Sequence, residues 1–327
     1  MMAKLHLTLA CGAYDRTRAL AEGEVQPEGI DLNYISPYSP SVTFWRMLKY
    51  REFDVAEISL SNYTILRSRG EDDLIGIPIF PNRVFRHSAF WVNTRSAIER
   101  PQDLAGKRMG VAEYPMTAAV WGRGILQDEF GVRPEQIKWY TGGLYDAGRT
   151  DRIDFEIPAN IQIQFVADRT LNSMLEDGSI DALLTPKPFF KKTPAVRRLF
   201  PDPRQVEEDF YRRTGIFPIM HTVVIRRDVY DKNRWIAASL YEAFERSKQI
   251  CYRWMKEGAR YVHPWFAFEI ERVTELMGAD PYENGLTEGN RKSVQTLQRF
   301  LVEQGLAPRI VPVESLFAES TLELAKE

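Results

Sequence analysis

Residues 96–111 read SAIERPQDLAGKRMGV, and the fold prediction starts from this stretch. Pro101 suits the first turn of a short helix, because proline fixes its φ angle and lacks the N–H group that such a turn leaves unpaired. Gly106 then ends the turn, and residues 108–112 form a predicted strand. The stretch therefore predicts that a second structural unit begins near residue 95.

Strand and helix patterns alternate on both sides of this stretch, which is typical of an α/β fold with largely parallel strands. Predicted strands cover residues 5–10, 30–35, 55–58, 74–80, 89–93, 108–112, 137–140, 180–184 and 221–226. Predicted helices cover residues 16–22, 41–49, 61–69, 117–130, 170–176, 233–255 and 287–303. We predict a first lobe from 1–94, a second lobe from 95–218, and a return to the first lobe with C-terminal helices over 219–327. Two crossings between lobes predict a ligand cleft between them.

The composition fits a folded protein without a polyanionic partner. Of the 327 residues, 44% are hydrophobic and 27% are charged, close to the average for globular chains. The length suits two lobes or one large α/β domain. The formal net charge of −2 gives no general attraction to nucleic acid or to an anionic membrane, so we predict neither partner. Any anion must be bound by locally placed cations.

The N-terminal residues predict a cytoplasmic protein. The chain begins MMAKLHLTLACGAYD, where Leu5, Leu7 and Leu9 alternate with polar residues, as in a strand and unlike the apolar run of an export signal. No stretch reaches the roughly 20 apolar residues of a membrane span. Cys11 and Cys251 are far apart in the sequence, and we expect both to be reduced thiols.

The common cofactor motifs give no match. The sequence contains no G-x-G-x-x-G after a strand, no G-x-x-x-x-G-K-[ST], no H-E-x-x-H and no G-x-S-x-G. These absences disfavour nucleotide cofactors and a serine nucleophile. No local histidine or cysteine spacing predicts a metal site, so we expect no cofactor. A divalent metal and a homo-oligomer are both left open.

Residues 82–88, NRVFRHS, form the first candidate site. Asn82, Arg83, Arg86 and His87 lie between two predicted strands, close to the first crossing between lobes. The planar guanidinium group of arginine matches a carboxylate, so two arginines suit a dicarboxylate. A histidine can donate or accept a proton near neutral pH. The alternative interpretation is a solvated loop that happens to be basic.

Other candidates follow the remaining strands. Tyr114 and Thr117 come directly after residues 108–112, and Thr117 is expected to cap the next helix, whose free N–H groups favour an anion. His221 begins the return strand, where it is either a catalytic group facing the cleft or a structural histidine. Further candidate ligand contacts lie at the ends of other predicted strands: Arg16, Glu57, Ser59 and Lys187.

Several of these motifs resemble known families. The pattern P-x-D-L-x-G-K-x-x-G-V at 101–111 resembles the entry into the second lobe of type II periplasmic binding proteins. That resemblance implies a two-lobed α/β fold with mixed, mostly parallel sheets. The whole chain resembles the 4,5-dihydroxyphthalate decarboxylases in four motifs: AYDRT at 13–17, NRVFRHS at 82–88, GVAEYPMTAAVW at 110–121 and PIMHTVVI at 218–225.

The family resemblance implies a carboxy-lyase that converts 4,5-dihydroxyphthalate to protocatechuate and CO2 without a cofactor. A hydroxyl group para to the departing carboxylate pushes electron density to the ring carbon, and a general acid protonates that carbon. We expect His87 or His221 to be the acid, with the other polarising a ring hydroxyl. Arg83 and Arg86 are expected to hold the carboxylates of this small aromatic substrate.

The main alternative is a non-catalytic solute-binding protein for a small aromatic or carboxylate anion. Such a protein would share the fold and the arginines. The histidines and the lack of an export pattern favour the enzyme, because tight anion binding needs no proton donor. A cytosolic sensor domain is disfavoured because no DNA-binding segment is recognisable. A thiamine-pyrimidine synthase is disfavoured because no iron-ligating cluster of histidine and cysteine is recognisable.

Overall fold

The structure is a computed structural model that describes residues 4–36, 40–148, 152–185, 193–257 and 262–325. The chain folds into two compact units. The first unit comprises residues 1–83, 219–295 and 311–327, and the second comprises residues 84–218 and 296–310. The predicted segments 1–94, 95–218 and 219–327 differ from this division at 84–94 and at 296–310, which belong to the second unit.

Strands and helices alternate over most of the described chain. The strands are β1 (Leu5–Ala10), β2 (Ile30–Ile35), β3 (Val55–Ser59), β4 (Leu74–Ile77), β5 (Phe90–Asn93), β6 (Arg108–Val111), β7 (Lys138–Gly142), β8 (Gln162–Val166), β9 (Ala182–Leu184), β10 (Val196–Arg198) and β11 (His221–Arg226). The α-helices are α1 (Arg18–Ala21), α2 (Pro40–Tyr50), α3 (Leu60–Ser68), α4 (Thr117–Phe130), α5 (Leu171–Asp177), α6 (Pro203–Thr214), α7 (Arg227–Lys232), α8 (Ile236–Lys256), α9 (Phe266–Met277) and α10 (Glu288–Glu303). None of the helices in this described part of the chain is long and apolar enough to cross a membrane.

A five-stranded mixed sheet forms the centre of the first unit, in the order β2-β1-β3-β11-β4. β1 runs parallel to β2 and β3, whereas β11 is antiparallel to β3 and β4. Every residue of β3 and β4 is buried, as expected for strands covered on both faces. The sequence predicted β11 as the return strand of this unit, and its pairing with β3 and β4 confirms that prediction.

A six-stranded mixed sheet forms the centre of the second unit, in the order β10-β5-β9-β6-β7-β8. The strands β9, β6, β7 and β8 are parallel, and β5 is antiparallel to both β9 and β10. The sequence placed residues 90–93 in the first lobe, but β5 lies in the second unit because its backbone pairs there. The α/β class with mixed sheets is confirmed.

The long helix α8 fixes much of the first unit. Its apolar residues recur at helical intervals, so one face is buried, including Ile236, Leu240, Phe244 and Cys251. Ile236, Leu240 and Phe244 pack in one hydrophobic cluster with residues of β1, for example with Leu9. Because that face is held by the core, polar residues on the same turns of α8 have fixed positions.

The helix α4 departs from the sequence prediction at its start. Met116 occupies the N-cap position without a side-chain hydrogen bond, and Thr117 is the first helical residue, so the predicted cap at Thr117 is wrong. The helix ends at Gly131, which adopts the left-handed conformation that terminates many helices. Within the helix, Gly124 lets the ring of Phe300 approach, because a Cβ atom there would lie 2.3 Å from the ring.

Other differences concern short or weakly patterned elements. Five observed elements lie outside the predicted strands and helices: β8, β10, α6, α7 and α9. β8 is mostly exposed. α9 has apolar residues at helical spacing, including Phe266, Ile270 and Val273, but the face they form is only partly buried. The predicted helix at 16–22 is a 3₁₀ turn, Asp15–Thr17, followed by α1. The predicted helix at 233–255 begins only at Ile236.

Candidate functional site

A cluster of polar side chains lies in the first unit, where β1 and β3 end and β11 begins. In the antiparallel pair of β3 and β11, His221 is directly opposite Ser59. Glu57 lies two residues before Ser59 and therefore shares its face of the sheet. Diagonal neighbours on one face of a sheet are within reach of long side chains. The strand register thus places the imidazole of His221 beside the carboxylate of Glu57.

The Glu57 carboxylate is surrounded by donors. Its Oε1 accepts a hydrogen bond from the Tyr14 hydroxyl at 2.6 Å and lies 2.5 Å from Nδ1 of His221. Its Oε2 accepts from the backbone N–H of Gly12 at 2.8 Å and from Sγ of Cys11 at 3.5 Å. The side chain of Glu57 is 1% exposed, whereas that of His221 is 17% exposed. The carboxylate is therefore internal, and the imidazole is accessible.

These contacts determine the charge of the cluster. Burial raises the pKa of Glu57, but hydrogen bonds and charge from His221, with the Tyr14 and Gly12 donors, outweigh burial and hold it below its usual value. Burial and the negative charge of Glu57 raise the pKa of Tyr14, so its hydroxyl remains a donor. Because an ionised carboxylate can only accept hydrogen bonds, Nδ1 of His221 carries the hydrogen in this pair.

Small and neutral residues complete the cluster. A Cβ atom at Gly12 would lie 2.8 Å from the Tyr14 ring, so glycine is needed for the backbone N–H to reach Glu57. The side-chain amide of Asn82 donates to the Tyr14 hydroxyl at 3.2 Å. The rings of Phe44 and His221 make an edge-to-face contact, with their centroids 4.8 Å apart. Tyr14 belongs to the AYDRT motif at 13–17, but its contact with Glu57 was not predicted from the sequence.

Arg16 lies near this cluster, just beyond the end of β1. One terminal nitrogen donates to the backbone oxygen of Pro81 at 3.0 Å, and the other donates to Asp15 at 2.7 Å. The guanidinium group also stacks on the ring of Tyr282, 3.7 Å from its centroid. Its side chain is 16% exposed, so the cation is held in place and remains accessible.

Arg83 and Ser59 are internal. Nη2 of Arg83 donates to the backbone oxygen of Glu283 and to Oδ1 of Asn290, both at 2.5 Å. Burial lowers the pKa of Arg83 to about 10. Ser59 is buried, with its hydroxyl 3.2 Å from that of Ser61. The geometry of Arg83 is that of a residue that joins two segments of the first unit.

His87 lies in the second unit, in apolar surroundings. Its side chain is fully enclosed, with ring centroids 5.5 Å from Phe200 and 5.2 Å from Phe210. Neither ring nitrogen has a hydrogen-bond partner among the residues that the structure describes, and Nε2 is 4.0 Å from a carboxylate oxygen of Glu129. Burial lowers the pKa of His87 to about 4, so the ring is neutral at pH 7.

The adjacent Arg86 is also buried, and burial lowers its pKa to about 10, with the charge of Glu207 acting in the opposite direction. Burial raises the pKa of Glu207, whose carboxylate accepts from the backbone N–H of Ser88 at 2.7 Å. The buried Arg86 therefore feels the charge of the half-buried Glu207 in the second unit.

Tyr114 and Thr117 are internal residues of the second unit. The Tyr114 ring is stacked on Phe155, and the guanidinium group of Arg123 lies 3.7 Å from its centroid. The preceding residue, Glu113, forms an ion pair with Arg152 at 2.9 Å, and both side chains are buried. Sequence reasoning missed this pair, because Arg152 lies outside every motif.

The predicted site residues thus divide between the two units. The first unit contains Arg16, Glu57, Ser59, Asn82, Arg83 and His221, and the second contains Arg86, His87, Tyr114 and Thr117. Lys187 lies outside the described residues. No group of three or more histidine, cysteine, aspartate or glutamate residues suited to a metal ion occurs in the described part of the chain.

The two mixed sheets with their connecting helices define a protein with a periplasmic-binding-protein-like fold. The structure is similar to the crystal structure of the periplasmic aliphatic sulphonate binding protein SsuA from Escherichia coli, with a TM-score of 0.56 and 12% sequence identity over 98% of this chain and 99% of that chain. This likeness concerns the fold alone. No protein-family model matches the sequence.

Sequence relatives give the family. The 4,5-dihydroxyphthalate decarboxylase of Comamonas testosteroni is 34% identical over 334 aligned residues, covering 99% of this chain and 100% of the relative. The enzyme of the same name from Pseudomonas putida is 36% identical over 216 residues, covering 65% of this chain and 83% of that protein. The chain belongs to the 4,5-dihydroxyphthalate decarboxylase family of carboxy-lyases.

Proposed function

We propose that this protein removes one carboxyl group from 4,5-dihydroxyphthalate and releases protocatechuate and CO2. The observation that supports this most directly is the pair of His221 and Glu57, an accessible imidazole held by a buried carboxylate. The relative of this name from Comamonas testosteroni aligns along nearly the whole chain, which supports the choice of substrate.

The proposed reaction is protonation of the ring followed by loss of CO2. The hydroxyl para to the departing carboxylate gives up its proton and pushes an electron pair toward the ring carbon. That carbon takes a proton from the general acid and becomes tetrahedral. The bond to the carboxylate then breaks, its electron pair restores the aromatic ring, and the phenolic oxygen regains a proton. The net change is one proton taken up and one CO2 released.

His221 is the proposed general acid. Its Nδ1 donates to Glu57, so Nε2 is the nitrogen that can deliver a proton to the ring. A positioned acid of this kind contributes on the order of 10²–10⁴-fold to the rate, and fixed orientation of the substrate adds to it.

Arg16 is the proposed contact for a substrate carboxylate in the first unit. It is accessible, and it donates to the backbone oxygen of Pro81, directly before Asn82. The proposed role of Asn82 and Tyr14 is to hold Glu57. The proposed role of Arg83 is structural, because its Nη2 donates to the backbone oxygen of Glu283 and to Oδ1 of Asn290. Arg86, Thr117 and Lys187 stay predicted contacts.

His87 was the second candidate acid, and its surroundings favour a structural role. A donor must hold a proton at the working pH, whereas burial lowers the pKa of His87 to about 4. The proposed reaction also needs no cofactor, since the para hydroxyl group supplies the electron pair. A chelator is therefore expected to leave the rate unchanged.

The test is CO2 release from 4,5-dihydroxyphthalate by the wild type, His221→Gln and His87→Gln, with and without a chelator. We expect His221→Gln to lower kcat by about 10²- to 10⁴-fold while ligand binding is retained, and His87→Gln to keep most of the activity. Tight binding of the substrate by the wild type without release of CO2 would refute the proposed function and would indicate a solute-binding protein.

A further inference from the structure

The accessible cation Arg16 is held from two sides by one turn of α8. On one side, the hydroxyl of Ser247 donates to the backbone oxygen of Arg16 at 2.8 Å and accepts from the backbone N–H of Leu20 at 3.2 Å. On the other side, the neighbouring Lys248 holds the segment that carries Tyr282. The turn at Ser247 and Lys248 therefore fixes both partners of the stack between Arg16 and Tyr282.

The segment Asp280–Gly285, called the Tyr282 loop below, is anchored at its start by a buried charge. The side chain of Lys248 is only 3% exposed, and its ammonium group lies 2.6 Å from Asp280 and 3.0 Å from Glu245. The other carboxylate oxygen of Asp280 accepts from the hydroxyl of Tyr252 at 2.6 Å. Two donors from α8 therefore hold the carboxylate that begins the loop.

The remainder of the loop is bonded to the chain just before Asn82. Asn284 accepts from the backbone N–H of Phe80 at 2.9 Å, and the N–H of Gly285 donates to the oxygen of Pro78 at 2.7 Å. Arg83 adds its bond to the oxygen of Glu283. A loop fixed at both ends presents its aromatic ring at one position, and the ring faces Arg16.

We propose that Tyr282 is a positioning residue that sets the affinity for the second carboxylate of the substrate by holding the guanidinium group of Arg16. The proposal rests on the proposed function, in which Arg16 binds a carboxylate. The ring of Tyr282 covers a face of the Arg16 guanidinium group and uses none of its N–H donors. Pro81 and Asp15 each take one hydrogen from a terminal nitrogen, and a guanidinium group has five N–H donors, so donors remain for a carboxylate. The Tyr282 loop thus selects dicarboxylates over monocarboxylates.

The experiment compares an unreactive dicarboxylate with a monocarboxylate. Phthalate has both carboxylates but no hydroxyl group to activate its ring, and benzoate has one carboxylate. Binding of each is measured by calorimetry on the full chain with Tyr282→Leu, which removes the ring, and Tyr282→Phe, which keeps it. The control is Trp254→Leu, which removes the ring near the guanidinium group of Arg18 instead.

We expect Tyr282→Leu to weaken phthalate binding about tenfold, the value of a partly desolvated cation–π contact, and to leave benzoate binding within about twofold. Tyr282→Phe and Trp254→Leu should bind phthalate as the wild type does. With 4,5-dihydroxyphthalate, Tyr282→Leu should raise KM about tenfold and change kcat little. This division between KM and kcat distinguishes positioning of Arg16 from a general loss of structure.

The proposal is overturned if Tyr282→Leu binds phthalate like the wild type, or if Tyr282→Phe or Trp254→Leu loses as much affinity. If Tyr282→Leu does not fold, Asp280→Asn is measured instead. This substitution weakens the contact of Asp280 with Lys248 and should weaken phthalate binding about threefold. Unchanged phthalate binding by Asp280→Asn would overturn the proposal. Wild type that binds phthalate but releases no CO2 from 4,5-dihydroxyphthalate contradicts the proposed function alone. Wild type that binds neither compound contradicts both.

Discussion

Replacing Glu57 by glutamine tests the proposed acid through its partner. The amide has nearly the shape of the carboxylate, and its oxygen can still accept from the backbone N–H of Gly12, but it has no negative charge. Its NH2 group can donate to Nδ1 of His221, which leaves the hydrogen of a neutral ring on Nε2. A neutral imidazole is a far weaker acid than an imidazolium. The exchange therefore removes the charged partner of His221 without removing the histidine.

The size of the effect follows from one contact. Nδ1 of His221 lies 2.5 Å from Oε1 of Glu57, and a hydrogen bond to a charged group stabilises by about 1.5–3 kcal/mol. A barrier higher by that amount lowers kcat about 10- to 150-fold. Complete loss of acid catalysis sets an upper limit of about 10⁴-fold. KM should change less than threefold, because Glu57 is buried and its contacts are with the protein.

The assay is the rate of CO2 release at saturating 4,5-dihydroxyphthalate, with KM measured in parallel and the fold checked by circular dichroism. Glu207→Gln is the control, since Glu207 is a half-buried glutamate of the second unit outside this cluster. A folded Glu57→Gln protein with a kcat within threefold of the wild type would refute the role of the pair. An equal loss in Glu207→Gln would point to a general effect of removing buried charge.

Three further results are expected. His87→Leu should keep kcat within threefold and leave stability unchanged or raised by about 1 kcal/mol in urea unfolding, because it removes two buried nitrogens without described partners. Folding lowers the pKa of His87 from 6.5 to about 4, so the unfolded chain binds a proton at a higher pH than the folded chain does. As the pH falls from 6.5 to 4, the free energy of unfolding of the wild type should therefore decrease by about 3 kcal/mol. His87→Leu should not show this decrease. Arg83→Met should cost about 1–3 kcal/mol in the same assay, since the oxygens of Glu283 and Asn290 lose their donor. A large rise in KM with unchanged stability would instead make Arg83 a substrate contact.

Most of the fold could be predicted from local patterns. The run at 96–111 and the strand at 221–226 have strong periodicity and clear end signals, so the α/β class and the return strand followed from the sequence. The helix α9 has apolar residues at helical spacing and was missed in spite of that signal. The strand β8 could not be predicted in this way, since most of its side chains are exposed. Tertiary contacts decide such elements, and a single sequence does not encode them locally.

The candidate site was predictable only where strand order determines it. Glu57 and Ser59 were chosen because they end a buried strand, and His221 because it begins another, but their pairing depends on the register of β3 and β11. His87 and Arg86 looked equally suitable, because composition does not distinguish an accessible histidine from one enclosed by Phe200 and Phe210. Burial, which sets their pKa values, is a property of the folded chain.

The bond between Nδ1 of His221 and the internal carboxylate also restricts how the acid is recharged. An imidazole with two open nitrogens can take a proton on one and give a proton from the other, in relay. With Nδ1 committed to Glu57, the ring in the proposed cycle must recover its proton through the same Nε2 that gave it away. Each turnover then requires Nε2 to meet water or a substrate hydroxyl before the next ring carbon is protonated, which couples the return of the proton to the departure of the product.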